Sequence, residues 1–286
     1  MNIDINTKMI TLIVDPLKQS FAARMQNAAY QAADINLTYF YTETGSEHLK
    51  EIIDGIRFMP SFAGAAVTKP NKVEVMKYLD EADPLCEKMG ACNTIVKQAS
   101  GALKGYNTDG VGFYTSITKE AGIKVSENTF FCIGAGGAGR AICSVLAYHG
   151  AKKIYITDLY QKSAEDLVDD INNNFAPVAE FVDFGNFAKT DECAVIINAS
   201  GVGMGKTAGE SPYPKEQMDA TKLYFDACYN PAKTQFLLNA EEAGARILNG
   251  LGMSLYQGVA QIELWSDKKA PIEAMKNELN DIIAGR

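Results

Sequence analysis

The sequence predicts an α/β protein of two domains, one of them a Rossmann-type, doubly wound unit. Three observations carry this. Residues 130–158 read as strand, turn, helix and strand. The apolar run Phe130 to Ile133 leads into Gly134, Gly136 and Gly139 in the spacing G-x-G-x-x-G, and a helix-compatible stretch covers Arg140–Tyr148. A second strand, Lys153–Thr157, then runs into Asp158, 24 residues after Gly134. Glycines so spaced permit a tight turn, close approach of that turn to a pyrophosphate and close helix packing, while the free N–H groups of the helix start face the anion. The second observation is that short apolar runs alternate with helix-compatible stretches on both sides of this unit, as in an α/β chain. The third is length: 286 residues suffice for two hydrophobic cores of ordinary size.

Each element has a local reason. Residues 9–14, MITLIV, form a first buried strand that Asp15-Pro16 ends. Ser20–Ala33 is rich in helix formers and opens on a cap serine. Leu37–Tyr41 is the next strand, and Leu49, Ile52, Ile53 and Ile56 give Ser46–Arg57 the spacing of an amphipathic helix. Phe62–Val67 is a strand that stops at TKP. Beyond Pro70, Val73, Val75, Met76 and Leu79 predict a helix over 72–79, with a strand at Cys92–Val96. Thr108-Asp109-Gly110 opens a helix over Val111–Ala121 that joins the two domains. The second domain continues with a helix at Ser163–Asn172, strands at Val178–Phe181, Cys193–Asn198 and Lys222–Asp226, a helix at Thr234–Ala243 and a strand at Arg246–Leu248. Four glycines and two prolines make Ser200–Pro214 an irregular connection at the strand ends, where α/β ligands sit. Two final helices, Met253–Trp265 and Pro271–Ile283, exceed what a doubly wound domain needs and are expected to return to the first. The expected division is 1–112 plus 250–286 against 113–249.

Composition narrows the function classes. The chain is 47% hydrophobic and 22% charged, which fits a globular protein without low-complexity segments. A net charge of −8 with no basic cluster disfavours nucleic acid and anionic membranes as partners. Six scattered cysteines form no C-x-x-C pair, so neither a disulfide framework nor a structural zinc is expected. The two histidines, His48 and His149, stand outside every candidate site string, so a histidine proton relay and a His-rich metal site are not expected either. No metal is assigned. The N-terminus lacks a signal-like apolar run, and no stretch reaches the length of a membrane span, so a cytoplasmic location is expected.

Seven strings carry a more specific signal: VTKPNK at 67–72, GACNTI at 90–95, GYNTDG at 105–110, GAGGAGRA at 134–141, NASGVGM at 198–204, DACYNPAKT at 226–234 and GMSLYQG at 252–258. Together they resemble the shikimate/quinate dehydrogenase family along nearly the whole chain. The resemblance implies two α/β domains with a cleft between them, a ring acid held by the first and NAD or NADP by the second. It implies Lys72 and Asp109 as the catalytic pair, and Ser20, Thr68, Asn93, Tyr229 and Gln257 as substrate contacts. Cofactor contacts fall on Gly134, Ala135, Gly136, Gly137, Ala138 and Gly139, on Asp158 and Leu159, and on Ala199, Ser200 and Gly201. The chemistry agrees: reducing a ketone builds negative charge on its oxygen, which a lysine can hold or protonate while an aspartate orients the ammonium. A monomer or homodimer is expected. A cofactor-binding regulatory paralogue with little turnover and an enzyme like methylene-folate dehydrogenase are the alternatives.

The chain departs from the family in three places. Where the family has His-Ser-x-Ser-Pro and then His-Asn, this chain has Gln19, Ser20, Phe21, Ala22, Ala23 and then Gln26, Asn27, so one of two serines that bind the substrate carboxylate is lost. Lys18 is a candidate compensating charge. Asn-Val-Thr becomes Ala66-Val67-Thr68, removing a second polar group beside the ring. After the second Rossmann strand, NADP-using members carry Asn-Arg-Thr, whereas this chain carries Asp158-Leu159-Tyr160. An acid there accepts hydrogen bonds from ribose hydroxyls and opposes a 2′-phosphate, so NAD is the expected cofactor and NADP the second choice. Asp158 as a mere strand end or helix cap, and Lys162 reaching back to offset its charge, are the competing expectations.

Overall fold

The computed structural model describes residues 3–16 and 20–283; Lys18 and Gln19 lie outside them. The chain divides into two compact units, residues 1–108 with 257–286 and residues 109–256.

Unit 1 begins with β1 (Lys8–Val14), α1 (Ala22–Ala32), β2 (Leu37–Glu43), α2 (Leu49–Phe58) and β3 (Phe62–Val67). It continues through β4 (Glu81–Ala82), α3 (Pro84–Met89), β5 (Thr94–Lys97) and β6 (Leu103–Tyr106). The sheet order is β2-β1-β3-β5-β6-β4. β1 runs parallel to β2 and β3, whereas β5 is antiparallel to both β3 and β6, so the sheet is mixed. The antiparallel pairing sets the C-terminal end of β3 beside the start of β5, Ala66 opposite Thr94. Ile53 and Ile56 of α2 join Ile13, Val67, Val75, Cys92, Ile95 and Leu103 in the core.

Two predicted elements take another form. The helix expected over 72–79 is a 3-10 turn at Glu74–Tyr78. The cause is upstream: the Lys72 carbonyl accepts from the Cys92 N–H at 2.8 Å, and Met76 N–H bonds Val73 instead, so no α-helical ladder starts at Lys72. Ser20 is not the cap of α1 either. The helix starts at Ala22 behind Phe21 without a side-chain cap; Ser20 Oγ accepts from Ala22 N at 3.2 Å, a local turn.

Unit 2 follows the first residue of α4 (Thr108–Lys119). It comprises β7 (Thr129–Ile133), α5 (Gly137–Tyr148), β8 (Lys153–Thr157), α6 (Gln161–Asn174), β9 (Ala179–Phe181), β10 (Val195–Asn198), β11 (Leu223–Asp226), α7 (Gln235–Glu242) and β12 (Arg246–Asn249). The strands are all parallel in the order β12-β11-β10-β7-β8-β9. The chain therefore winds outward from β7 to β9, returns, and winds outward again from β10. The reversal between β7 and β10 is the crevice where doubly wound sheets bind ligands. Near-continuous apolar strands such as Val195–Ile197 suit burial on both faces, and Phe113 of α4 packs edge-on against Phe225 with ring centroids 4.8 Å apart.

The chain passes back into unit 1 within α8 (Gly250–Ser266), at Gln257, and ends in α9 (Ile272–Ile283). α9 packs on α1, and Trp265 of α8 donates from Nε1 to Ile95 O at 2.9 Å. All six cysteines are unpaired and buried. Among the described residues no helix is long and apolar enough to cross a membrane.

Candidate active site

In unit 1 the expected site residues gather where β1 and β3 end and β5 begins. Thr68 follows β3 directly, its N–H bonded to Ile13 O at 3.2 Å, and Val67 N–H bonds Asn93 O at 2.9 Å. The Cys92 bond to the Lys72 carbonyl draws half-buried Lys72 to the same end of the sheet. Asn93 is 1% exposed, and its Oδ1 accepts from Thr108 N at 2.8 Å and from Thr94 Oγ1 at 2.9 Å. Its Nδ2 donates to Thr108 Oγ1 at 3.0 Å, which uses one of two N–H groups. Ser20 is exposed before α1, its carbonyl accepting from Tyr41 Oη at 2.8 Å. Ala22 opens α1, half-buried, and buried Ala66 carries no polar atom toward its partner Thr94. Gln257, half-buried on α8, makes no side-chain hydrogen bond among the described residues.

In unit 2, Asp109 sits half-buried in the first turn of α4. Tyr229 follows β11 in a loop anchored by Asp226, whose Oδ1 accepts from Cys228 N at 2.9 Å and from Asn198 Nδ2 at 3.0 Å, and whose Oδ2 accepts from Thr234 Oγ1. Burial pushes the Asp226 carboxyl up in spite of those bonds, and burial followed by the nearby Cys228 raises the Tyr229 phenol.

The glycine turn is built from backbone. Gly134 has φ +109°, and a Cβ there would stand 2.5 Å from Ser200 N. A Cβ on Gly139 would overlap the Gly134 carbonyl, so the helix can sit this close to the strand end only with glycine. α5 starts at Gly137, earlier than expected, and no side chain caps it. The first-turn amides of Gly137, Ala138 and Gly139 therefore remain available, and the space beside Gly136 is open. Ala135 N–H bonds Asp158 Oδ2 at 2.7 Å, and Tyr160 N–H bonds Oδ1 at 2.8 Å. Leu159 is 70% exposed. Ala199 lies buried across the crevice, bonded to Ile133 O, with exposed Ser200 and Gly201 beyond it. Uncapped amides, open space and an acid at the end of β8 are a donor set that fits a dinucleotide, amides for a diphosphate and a carboxylate for ribose hydroxyls. No group of acids, cysteines and histidines able to hold a metal occurs among the described residues.

Four residues that the sequence did not assign to the site belong to this end of unit 1: Gln26, which stands where the family has histidine, and Thr94, Thr108 and Gln261, all buried polar groups. Gln261 stands one helical turn after Gln257, on the pattern read as amphipathic, and a polar residue on that buried face was the signal available.

A model described as the shikimate dehydrogenase substrate binding domain matches residues 12–95, and one described as the shikimate 5′-dehydrogenase C-terminal domain matches 250–279. The shikimate dehydrogenase (NADP(+)) of Desulforamulus reducens is 38% identical over 282 residues, covering 97% of this chain and 96% of that protein. Shikimate 5-dehydrogenase from Listeria monocytogenes, solved with shikimate and NAD, superposes with a TM-score of 0.92 at 35% identity over 98% of each chain. Quinate dehydrogenase from Corynebacterium glutamicum, solved with NAD, gives 0.89 at 26% identity over 96% of this chain and 99% of that one. The chain belongs to the shikimate dehydrogenase family of nicotinamide-dependent oxidoreductases.

Proposed function

We propose that the protein transfers hydride reversibly between NAD(H) and a ring hydroxyl or ketone of shikimate, quinate or a related cyclic hydroxy acid. The observation that carries this reading is the gathering of Thr68, Lys72 and Asn93 at one end of the first sheet, with Thr108 bonded to Asn93 and Asp109 next in the chain. On this reading unit 1 binds the ring acid and unit 2 the dinucleotide. Thr68, Asn93, Gln257, Tyr229 and Ser20 hold the ring's hydroxyls and carboxylate. The nicotinamide, when bound, gives or takes the hydride. Lys72 holds the charge that grows on the ketone oxygen and delivers the proton, or removes it from the hydroxyl in the opposite direction; Asp109 orients the ammonium.

Asp158 supports NAD as the preferred cofactor. Its oxygens bond two backbone N–H groups, and each keeps a lone pair for a ribose hydroxyl. Lys162 and Lys153, the nearest cation on each side in sequence, are engaged elsewhere, with Asp166 at 2.6 Å and Glu180 at 2.7 Å, and Arg140 pairs with Asp170. No arginine follows Asp158 to meet a 2′-phosphate. Relatives named for NADP(+) make this the point to measure. An absorbance assay with shikimate, quinate and 3-dehydroshikimate should show turnover, with kcat/KM at least about tenfold higher for NAD than for NADP. No turnover on any ring acid despite tight dinucleotide binding defeats the enzymatic reading, and a preference for NADP defeats the cofactor assignment alone.

A further inference from the structure

We infer that Gln26 and Gln261 are positioning residues of the substrate site, holding the Asn93 amide through one buried, directional chain of hydrogen bonds so that its second N–H faces the ring acid. The inference rests on Asn93 being a substrate contact, as proposed above.

Direction is fixed at one end. Thr108 N–H can only donate, and it meets Asn93 Oδ1 at 2.8 Å, so the Asn93 amide cannot be turned around. Thr94 Oγ1 also donates to that oxygen, at 2.9 Å, and then needs donors for its two lone pairs, with Thr108 Oγ1 standing 3.1 Å away. Gln261 Nε2 supplies one at 3.0 Å. Its own carbonyl oxygen is thereby aimed at α1, where Gln26 Nε2 donates to it at 3.1 Å and to Gly258 O at 3.4 Å. Each amide dictates the orientation of the next. Gln26, Asn93, Thr94, Thr108 and Gln261 are all at most 3% exposed, so water does not compete for these bonds.

The chain ties the turn that holds Asn93 to the elements beside two other expected contacts: α1, which follows Ser20, and α8, which carries Gln257. α1 and α8 lie close together at Gly258, where an added Cβ would stand 2.5 Å from Met25 Cε and 3.5 Å from Gln26 Nε2. The chain has an internal cost. Gln26 Oε1 accepts no hydrogen bond among the described residues, an unsatisfied buried carbonyl that a leucine would avoid. An amide there is the poorer choice for packing and the better one for orienting Gln261.

The test compares wild type with Gln261→Leu, Gln26→Leu and the double variant, measuring melting temperature, dinucleotide KM, kcat and ring-acid KM. We expect Gln261→Leu to raise ring-acid KM about five- to tenfold, with kcat and dinucleotide KM within about twofold. Gln26→Leu, one link further away, should raise it about two- to threefold, and the double variant should match Gln261→Leu because both act through Thr94 and Asn93. A lower melting temperature with unchanged ring-acid KM means the amides are only scaffold and overturns the inference. So do KM factors that multiply in the double variant. If Gln261→Leu does not fold, Gln26→Leu decides: an unmoved ring-acid KM overturns the inference and a selective rise supports it. Wild type without turnover on any ring acid removes the functional reading and this inference with it, whereas active wild type with unmoved variants removes the inference alone.

Discussion

The two units make their strand ends from different material. After β7 the work falls to backbone: a glycine at φ +109°, a glycine under the helix start and a row of uncapped amides. At the ends of β1 and β3 in unit 1 it falls to side chains, with Asn93 held by Thr94 and Thr108, and Thr94 in turn by Gln261. A backbone site is broken by adding atoms, because nothing in it can be moved aside. A side-chain site is broken by removing hydrogen-bonding atoms, because the buried partner left behind is unsatisfied.

Five variants test that contrast, from the largest expected effect down. Lys72→Ala should lower kcat about 10²- to 10⁴-fold, the usual worth of a positioned acid or base, while dinucleotide affinity measured by calorimetry stays within about twofold. Retained kcat would take Lys72 out of the chemistry. Gly139→Ala adds only a methyl, yet it forces α5 off Gly134 and should cost about 1–3 kcal/mol of stability together with dinucleotide affinity. Gly136→Ala is its control. The space beside Gly136 is open, so the melting temperature should hold while dinucleotide affinity falls; equal melting losses for both variants would undo the backbone argument. The pair Asp158→Ala, Leu159→Arg should move the NADP/NAD ratio of kcat/KM about tenfold or more toward NADP. An unmoved ratio would locate cofactor choice elsewhere. Ala22→Ser is the mildest: shikimate KM should fall about two- to tenfold if a missing hydroxyl weakens carboxylate binding, and no change would mean another group fills the role.

The same contrast decides what the sequence reveals. A backbone site announces itself, since glycines recur at spacings that few other constraints require, and apolar runs such as Phe130–Ile133 and Cys193–Asn198 mark strands buried on both faces. Strands of a mixed sheet announce less. Leu103–Tyr106 pairs with β5, yet its residues, LKGY, carry little strand preference, and the position is fixed by partners rather than by propensity. The stretch 72–79 has helical spacing but is overruled by one long-range bond, from Cys92 to the Lys72 carbonyl. The strings around Asn93 and Thr108 were visible as motifs. What joins them to Gln26 and Gln261 was not, because those bonds span 167 residues between Gln261 and Thr94 and 235 between Gln26 and Gln261, and no local pattern encodes them.

The buried thiols give the fold its own stopwatch. Cys86 and Cys92 lie in unit 1, and Cys132, Cys143, Cys193 and Cys228 in unit 2, all shielded in the native state. A thiol-specific alkylator can then modify each one only when its surroundings open. Mass spectrometry of the labelled peptides would time the opening of each unit in an unaltered chain, and added dinucleotide should slow the four clocks of unit 2 by the factor its binding stabilises that unit.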